Sequence, residues 1–141
     1  MKAQYLTVQY LIFFTIGLVL IISVYLSFSN LNREYEKTTT EYQLQMTGEM
    51  IMGTIIRAFE TSNSTNTAVN YNLTIPTKLS NCIYSIRNDT FNGLLMLDCI
   101  EIPGISVNLT SYNFNIKIDN IIYSTNGLLQ ITVKDGEIDL K

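Results

Sequence analysis

Histidine and tryptophan are both missing from this 141-residue chain. Without histidine the commonest general base and metal ligand is gone, and neither a Ser/His/Asp nor a Cys/His nucleophile set can be assembled. Cysteine occurs twice, at Cys82 and Cys99, too few for a structural zinc site on their own. Charge is sparse: nine Lys and Arg against twelve Asp and Glu give a net charge of -3. After Ser62 the balance is five basic to seven acidic residues, so no basic patch exists on which phosphate-driven nucleic-acid binding would depend. No glycine-rich phosphate loop is present. Asp98 and Glu101 flank Cys99, and Asp135, Glu137 and Asp139 cluster near the end. Paired carboxylates can do acid/base work or bind calcium weakly, but here they read as a solvated face. No catalytic, metal-binding or cofactor-binding residue is expected, and the chain is not expected to be an enzyme.

What the chain does have is hydrocarbon in one place. Residues 3–32 carry no charge, and Leu11-Ile12-Phe13-Phe14-Thr15-Ile16-Gly17-Leu18-Val19-Leu20-Ile21-Ile22 is almost purely apolar. A span of about 20 apolar residues crosses a bilayer as one helix, because a helix satisfies its own backbone polar groups. The run is longer than the core of a signal peptide and passes out through Tyr25, Leu26 and Phe28 without a small-residue cleavage site. It is therefore read as retained. Lys2, the sole charge before Arg33, favours a cytoplasmic start and an external remainder.

Proline is absent until Pro76, so nothing forces the helix to stop with its apolar half. Beyond the charged stretch at residues 33–37, Leu31, Tyr35, Thr39, Tyr42, Met46, Met50, Gly53, Ile56 and Phe59 recur every three or four residues. That spacing predicts an amphipathic face. One helix is expected over residues 4–60, its second half a stalk that packs either on the chain's own domain alone or on both that domain and neighbouring subunits. Residues 61–67, Thr-Ser-Asn-Ser-Thr-Asn-Thr, are expected to be a polar linker.

From residue 68 the pattern changes to period two. Val69, Tyr71, Leu73 and Ile75 alternate with polar residues, as do Ile105, Val107 and Leu109, Tyr112, Phe114, Ile116 and Ile118, Leu129, Ile131 and Val133, and Ile138 and Leu140. Cys82, Tyr84 and Ile86 form another inward set, and Leu95, Leu97 and Cys99 a further one. Turn signals separate the runs at Asn92-Gly93, Pro103-Gly104, Asn126-Gly127 and Asp135-Gly136. The expected fold class is α+β: one long N-terminal helix, then an antiparallel β-sandwich of seven or eight strands over residues 68–141.

Cys82 and Cys99 share inward parity and are candidates for an internal disulfide, worth about 3 kcal/mol in the chain-entropy account. Two buried free thiols are the alternative. An external location favours the bond. Four Asn-x-Ser/Thr sequons, at Asn63, Asn72, Asn88 and Asn108, are the most specific motifs present. All lie outside the apolar stretch. Asn72 and Asn108 fall on outward parity, Asn63 in the linker and Asn88 near a turn.

A short basic start, an immediate apolar helix, its amphipathic continuation and a β-sandwich rich in Asn and Thr together resemble an archaeal type IV pilin. The resemblance implies a leader of residues 1–3, cut by a dedicated peptidase after Lys2-Ala3, with Ala3 and Gln4 flanking the cut. It implies a membrane-held precursor that a pilus assembly machinery builds into a helical homo-oligomeric filament on the cell surface. Leu11, Phe14, Leu18, Ile21, Ile22 and Tyr25 would line the filament core, and the outer domains would serve adhesion or cell–cell contact. The outline also resembles an archaellum stator protein, in which an uncut helix holds an immunoglobulin-like ectodomain against the cell-surface layer. A plain membrane-anchored ectodomain is a third reading.

Overall fold

The computed structural model describes residues 2–89, 94–110 and 114–141, with side chains from residue 8 onward. Asn92-Gly93, Tyr112 and Thr90 of the Asn88 sequon lie outside the described residues. Two compact units divide the chain, residues 1–36 and 37–141. One helix, α1 (Lys2–Thr65), supplies the whole described part of the first unit and the helical part of the second.

The helix passes Glu60 and ends at Thr65, so residues 61–65 are helical and not the expected linker. Hydroxyl side chains, poor helix formers by propensity, here turn back onto the helix. Thr61 Oγ1 donates to the Arg57 carbonyl at 2.8 Å and Thr65 Oγ1 to the Thr61 carbonyl at 2.7 Å. Ser62 is buried and donates to the Thr67 carbonyl. The helix stops where Asn66 enters the left-handed region at φ 54°, a conformation that asparagine tolerates better than most residues.

Eight strands follow among the described residues: β1 (Val69–Thr74), β2 (Tyr84–Asp89), β3 (Leu94–Cys99), β4 (Ser106–Thr110), β5 (Asn115–Ile118), β6 (Ile122–Tyr123), β7 (Leu128–Lys134) and β8 (Glu137–Leu140). They form two four-stranded sheets, ordered β1-β7-β8-β5 and β4-β3-β2-β6. The pairs are antiparallel except β5 with β8, which run parallel. The expected antiparallel character holds for the other pairs, and β5 departs from it because it is no hairpin partner of β8: it is followed by β6 in the other sheet and joins its own sheet from the far side. A two-residue turn at Asp135-Gly136, φ 51° and 82°, closes the β7–β8 hairpin with the positive φ pair that suits the right-handed strand twist.

Period-two alternation sets the core. Ile86, Leu95, Leu97, Leu129, Ile131, Val133, Ile138 and Leu140 are buried, joined by Ile105 and Ile116. Residues of both sheets and of α1 belong to one apolar cluster; the arrangement is compatible with a sandwich. Burial of each large aliphatic side chain in it is worth roughly 1.5–3 kcal/mol relative to exposure.

Of the row read from the sequence Phe59 packs against this cluster, but over residues 40–51 the helix buries a different face. Thr40, Leu44, Thr47, Gly48, Ile51, Ile55, Ala58 and Ser62 are buried, whereas Tyr42, Met46 and Met50 are 64%, 52% and 41% exposed. Both rows have helical spacing and both are largely apolar, so periodicity alone does not choose between them. Shape decides. Gly48 lies where an added Cβ would overlap the Leu109 side chain and approach Leu97, so this small residue lets the helix come close to β3 and β4. Phe59 closes the other end, its ring 4.8 Å from that of Phe114 and tilted by 49°.

Candidate functional site

The first unit is a helix without a core. Leu11, Phe14, Leu18, Ile21, Ile22 and Tyr25 are all between 43% and 72% exposed. Val8, Ile12, Phe13, Ile16, Val19, Leu20, Val24, Leu26 and Phe28 are exposed as well, so hydrocarbon covers the whole circumference. Three hydroxyls within this surface are satisfied internally. Thr15 Oγ1 donates to the Leu11 carbonyl at 2.7 Å, Ser23 Oγ to Val19 at 2.8 Å and Ser27 Oγ to Ser23 at 2.9 Å. Hydroxyls bonded to their own helix need no water. By length and composition the helix is able to cross a membrane. Tyr25, Phe28, Ser29, Leu31, Asn32 and Tyr35 line a shallow hollow at its polar end. Ala3 and Gln4 are within α1, but their side chains lie outside those described.

The second unit adds an uncovered apolar strip. Tyr42, Met46 and Met50 stand at i, i+4 and i+8, on one side of the helix. Met46 and Met50 line a shallow groove with Thr47, Thr74, Ile75 and Pro76.

Cys82 and Cys99 are joined, with Cα atoms 5.7 Å apart. The bond ties the tight turn at Leu79–Cys82, where backbone bonds run both ways at 2.9 and 2.8 Å, to the end of β3. Disulfides belong to oxidising compartments, which agrees with an external second unit. The four sequons fall in different settings. Asn63 is exposed in the last helical turn, and Asn72 and Asn108 are exposed on β1 and β4. Asn88 is only half-exposed, and its Nδ2 donates to the Ile116 carbonyl of β5.

No group of three or more metal-binding side chains converges among the described residues. Lys117 Nζ meets Glu137 Oε2 at 2.7 Å on the surface; that carboxylate raises the lysine pKa. Arg87 pairs with Asp98 across β2 and β3.

A buried polar cluster at Tyr84 was not legible in the sequence, where Tyr84 reads only as an inward residue. Its hydroxyl donates to the Pro76 carbonyl at 2.8 Å. Its backbone N–H donates to Ser124 Oγ, which in turn donates to the Thr77 carbonyl at 2.8 Å. Burial pushes the Tyr84 pKa up to about 12, above the usual value near 10. The phenol is therefore held neutral in the fold while the unfolded chain ionises first. Stability from this group is complete below about pH 10 and is lost as pH rises toward 12. Alkaline unfolding followed by circular dichroism is expected to shift to higher pH in Tyr84→Phe, alongside a loss of about 1 kcal/mol at neutral pH from the missing hydrogen bond. Superimposable pH profiles for the two proteins would remove this role.

The chain matches no family model, no curated protein and no solved structure.

Proposed function

We propose that this chain is the structural subunit of an archaeal type IV pilus-like extracellular filament, held in the membrane as a precursor and assembled through its N-terminal helix, with its β-rich unit as the outer layer serving adhesion or cell–cell contact. The observation that carries this reading is the ring of exposed hydrocarbon from Val8 to Phe28. Lipid covers such a surface in a precursor, and identical helices cover it in a filament. Each leucine, isoleucine or phenylalanine withheld from water is worth roughly 1.5–3 kcal/mol, so the helix exchanges one dry environment for another and does not return to water. The second support is the strip Tyr42, Met46 and Met50, left exposed on a helix whose opposite side is already buried. A simple tether has no use for it.

Two measurements test the reading. N-terminal mass spectrometry of sheared surface filaments is expected to find the chain starting at Gln4. An intact Met1 confined to membranes would reject the pilin and favour the anchored, stator-type ectodomain. Separately, Leu18→Asp or Ile21→Asp is expected to abolish filaments, since a carboxylate at the centre of an apolar helix costs about 2.5–3.5 kcal/mol even on the mildest insertion scale. Normal filament yield from both variants would place the assembly surface elsewhere.

A further inference from the structure

The two sheets have four edges, and the edges are not alike. Unpaired edges invite pairing with other chains, and proteins blunt them by shortness, charge, proline or cover. β6 is two residues long. β5 carries Lys117, charged and paired with Glu137 on the neighbouring strand. β1, Val-Asn-Tyr-Asn-Leu-Thr, and β4, Ser-Val-Asn-Leu-Thr, have neither charge nor proline. Each is the outermost strand of its sheet. Uncharged, proline-free segments of this length are the kind that assemble edge to edge.

These two unprotected strands carry sequons at corresponding places, Asn72-Leu73-Thr74 and Asn108-Leu109-Thr110. In a strand, residues two apart share a face. Asn72 and Thr74 are both exposed while Leu73 packs on the core, and Asn108, Thr110 and Leu109 repeat the arrangement. Asn88 differs. Its amide nitrogen, the atom a glycan would occupy, is bonded to the Ile116 carbonyl of the other sheet.

We infer that Asn72 and Asn108 carry N-linked glycans, that Asn88 does not, and that the two glycans protect the β1 and β4 edges from pairing with other chains. In the transfer, the carboxamide nitrogen bonds to the anomeric carbon of an oligosaccharide carried on a polyprenyl phosphate or diphosphate. The bond from that carbon to the phosphate oxygen breaks, the lipid phosphate leaves, and the nitrogen loses one proton. A hydrated sugar chain rooted in an edge strand then occupies the space a docking strand would need. Only exposure to an extracytoplasmic transferase is required. A glycosylated chain that forms no filaments keeps this inference and overturns the pilin, and a bare filament does the reverse.

The test is glycopeptide mass spectrometry on the full chain purified from its native cells. Saccharide mass is expected on the Asn72 and Asn108 peptides and none on the Asn88 peptide. A bare Asn72 or Asn108, or a glycan on Asn88, overturns the assignment. The protective role is tested with Thr74→Ala/Thr110→Ala, which retains Asn72 and Asn108 but neither of their sequons, against Thr74→Ser/Thr110→Ser, which retains both of them. The alanine protein is expected to aggregate at several-fold lower concentration by light scattering and thioflavin fluorescence, and the serine protein to match the parent. Equal aggregation of the alanine and serine proteins removes the protective role.

Discussion

Ile51→Ala and Ile55→Ala are each expected to destabilise the 37–141 unit by about 2–5 kcal/mol, the range for removing a buried aliphatic side chain whose surroundings collapse only in part. Both isoleucines are fully buried and belong to the cluster shared by α1 and the two sheets. The matched controls are Tyr42→Ala and Met46→Ala, on the exposed strip. In detergent-solubilised single chains these should shift stability by no more than about 0.5 kcal/mol. Under the filament proposal the order is expected to change on assembly: Tyr42→Ala and Met46→Ala should then lower filament stability, because the proposed assembly covers this strip with other subunits. Urea unfolding of the solubilised chain measures the first contrast, and the temperature at which filaments dissociate measures the second. If Met46→Ala weakens the single chain as much as Ile55→Ala does, the buried face of the helix is misassigned. The double variant Ile51→Ala/Ile55→Ala is not expected to be additive, since the two sites are one turn apart and line the same space.

The second large effect belongs to the disulfide. Reduction, or Cys82→Ser with Cys99→Ser, is expected to cost about 2–4 kcal/mol, in line with a cross-link of this loop length. The sequence separation is 17 residues. For a unit of about a hundred residues, each kcal/mol moves the melting midpoint by roughly 4–8 °C, so the transition should fall by roughly 8–30 °C. The loss should be local in origin. β2 and β3 keep their hydrogen-bonded register from Tyr84↔Cys99 to Asp89↔Leu94, but the turn at Leu79–Cys82 loses its tie to the end of β3. Tyr84 and Ser124 still hold the neighbouring Pro76 and Thr77 carbonyls, respectively, and Ile75 and Leu79 stay buried, so that corner would keep its hydrogen bonds and apolar packing but lose its covalent tie. Oxidised and reduced proteins melting within a degree or two of each other would show that the bond adds nothing to this fold.

Much of this molecule was settled locally. Charge-free hydrocarbon over residues 3–32 allows only a helix in a dry environment, because no other backbone form satisfies itself there. Alternation in β7 and β8 fixes which side chains face inward, since a one-residue slip would expose every one of them, whereas β3, Leu-Leu-Met-Leu-Asp-Cys, is apolar on both faces and does not fix its own register. Asp135-Gly136 determines its hairpin through the positive φ it accepts. Cys82 and Cys99 are placed for bonding by the same parity that buries their neighbours.

Tertiary structure decided what local pattern leaves degenerate. The second half of α1 offers two apolar rows, and the choice of Leu44, Ile51 and Ile55 over Tyr42, Met46 and Met50 came from fit: Gly48 admits Leu109, and no periodicity encodes that. The end of α1 at Thr65 came from hydroxyls bonding back to carbonyls and from the left-handed Asn66, against the propensities of the Ser/Thr/Asn run. The parallel pairing of β5 with β8 joins residues 22 positions apart, the Asn88 bond to Ile116 residues 28 apart and the Tyr84 N–H bond to Ser124 residues 40 apart. Long-range partners of that kind are chosen by the space the assembled core leaves, which a sequence specifies only when all of its elements are in place.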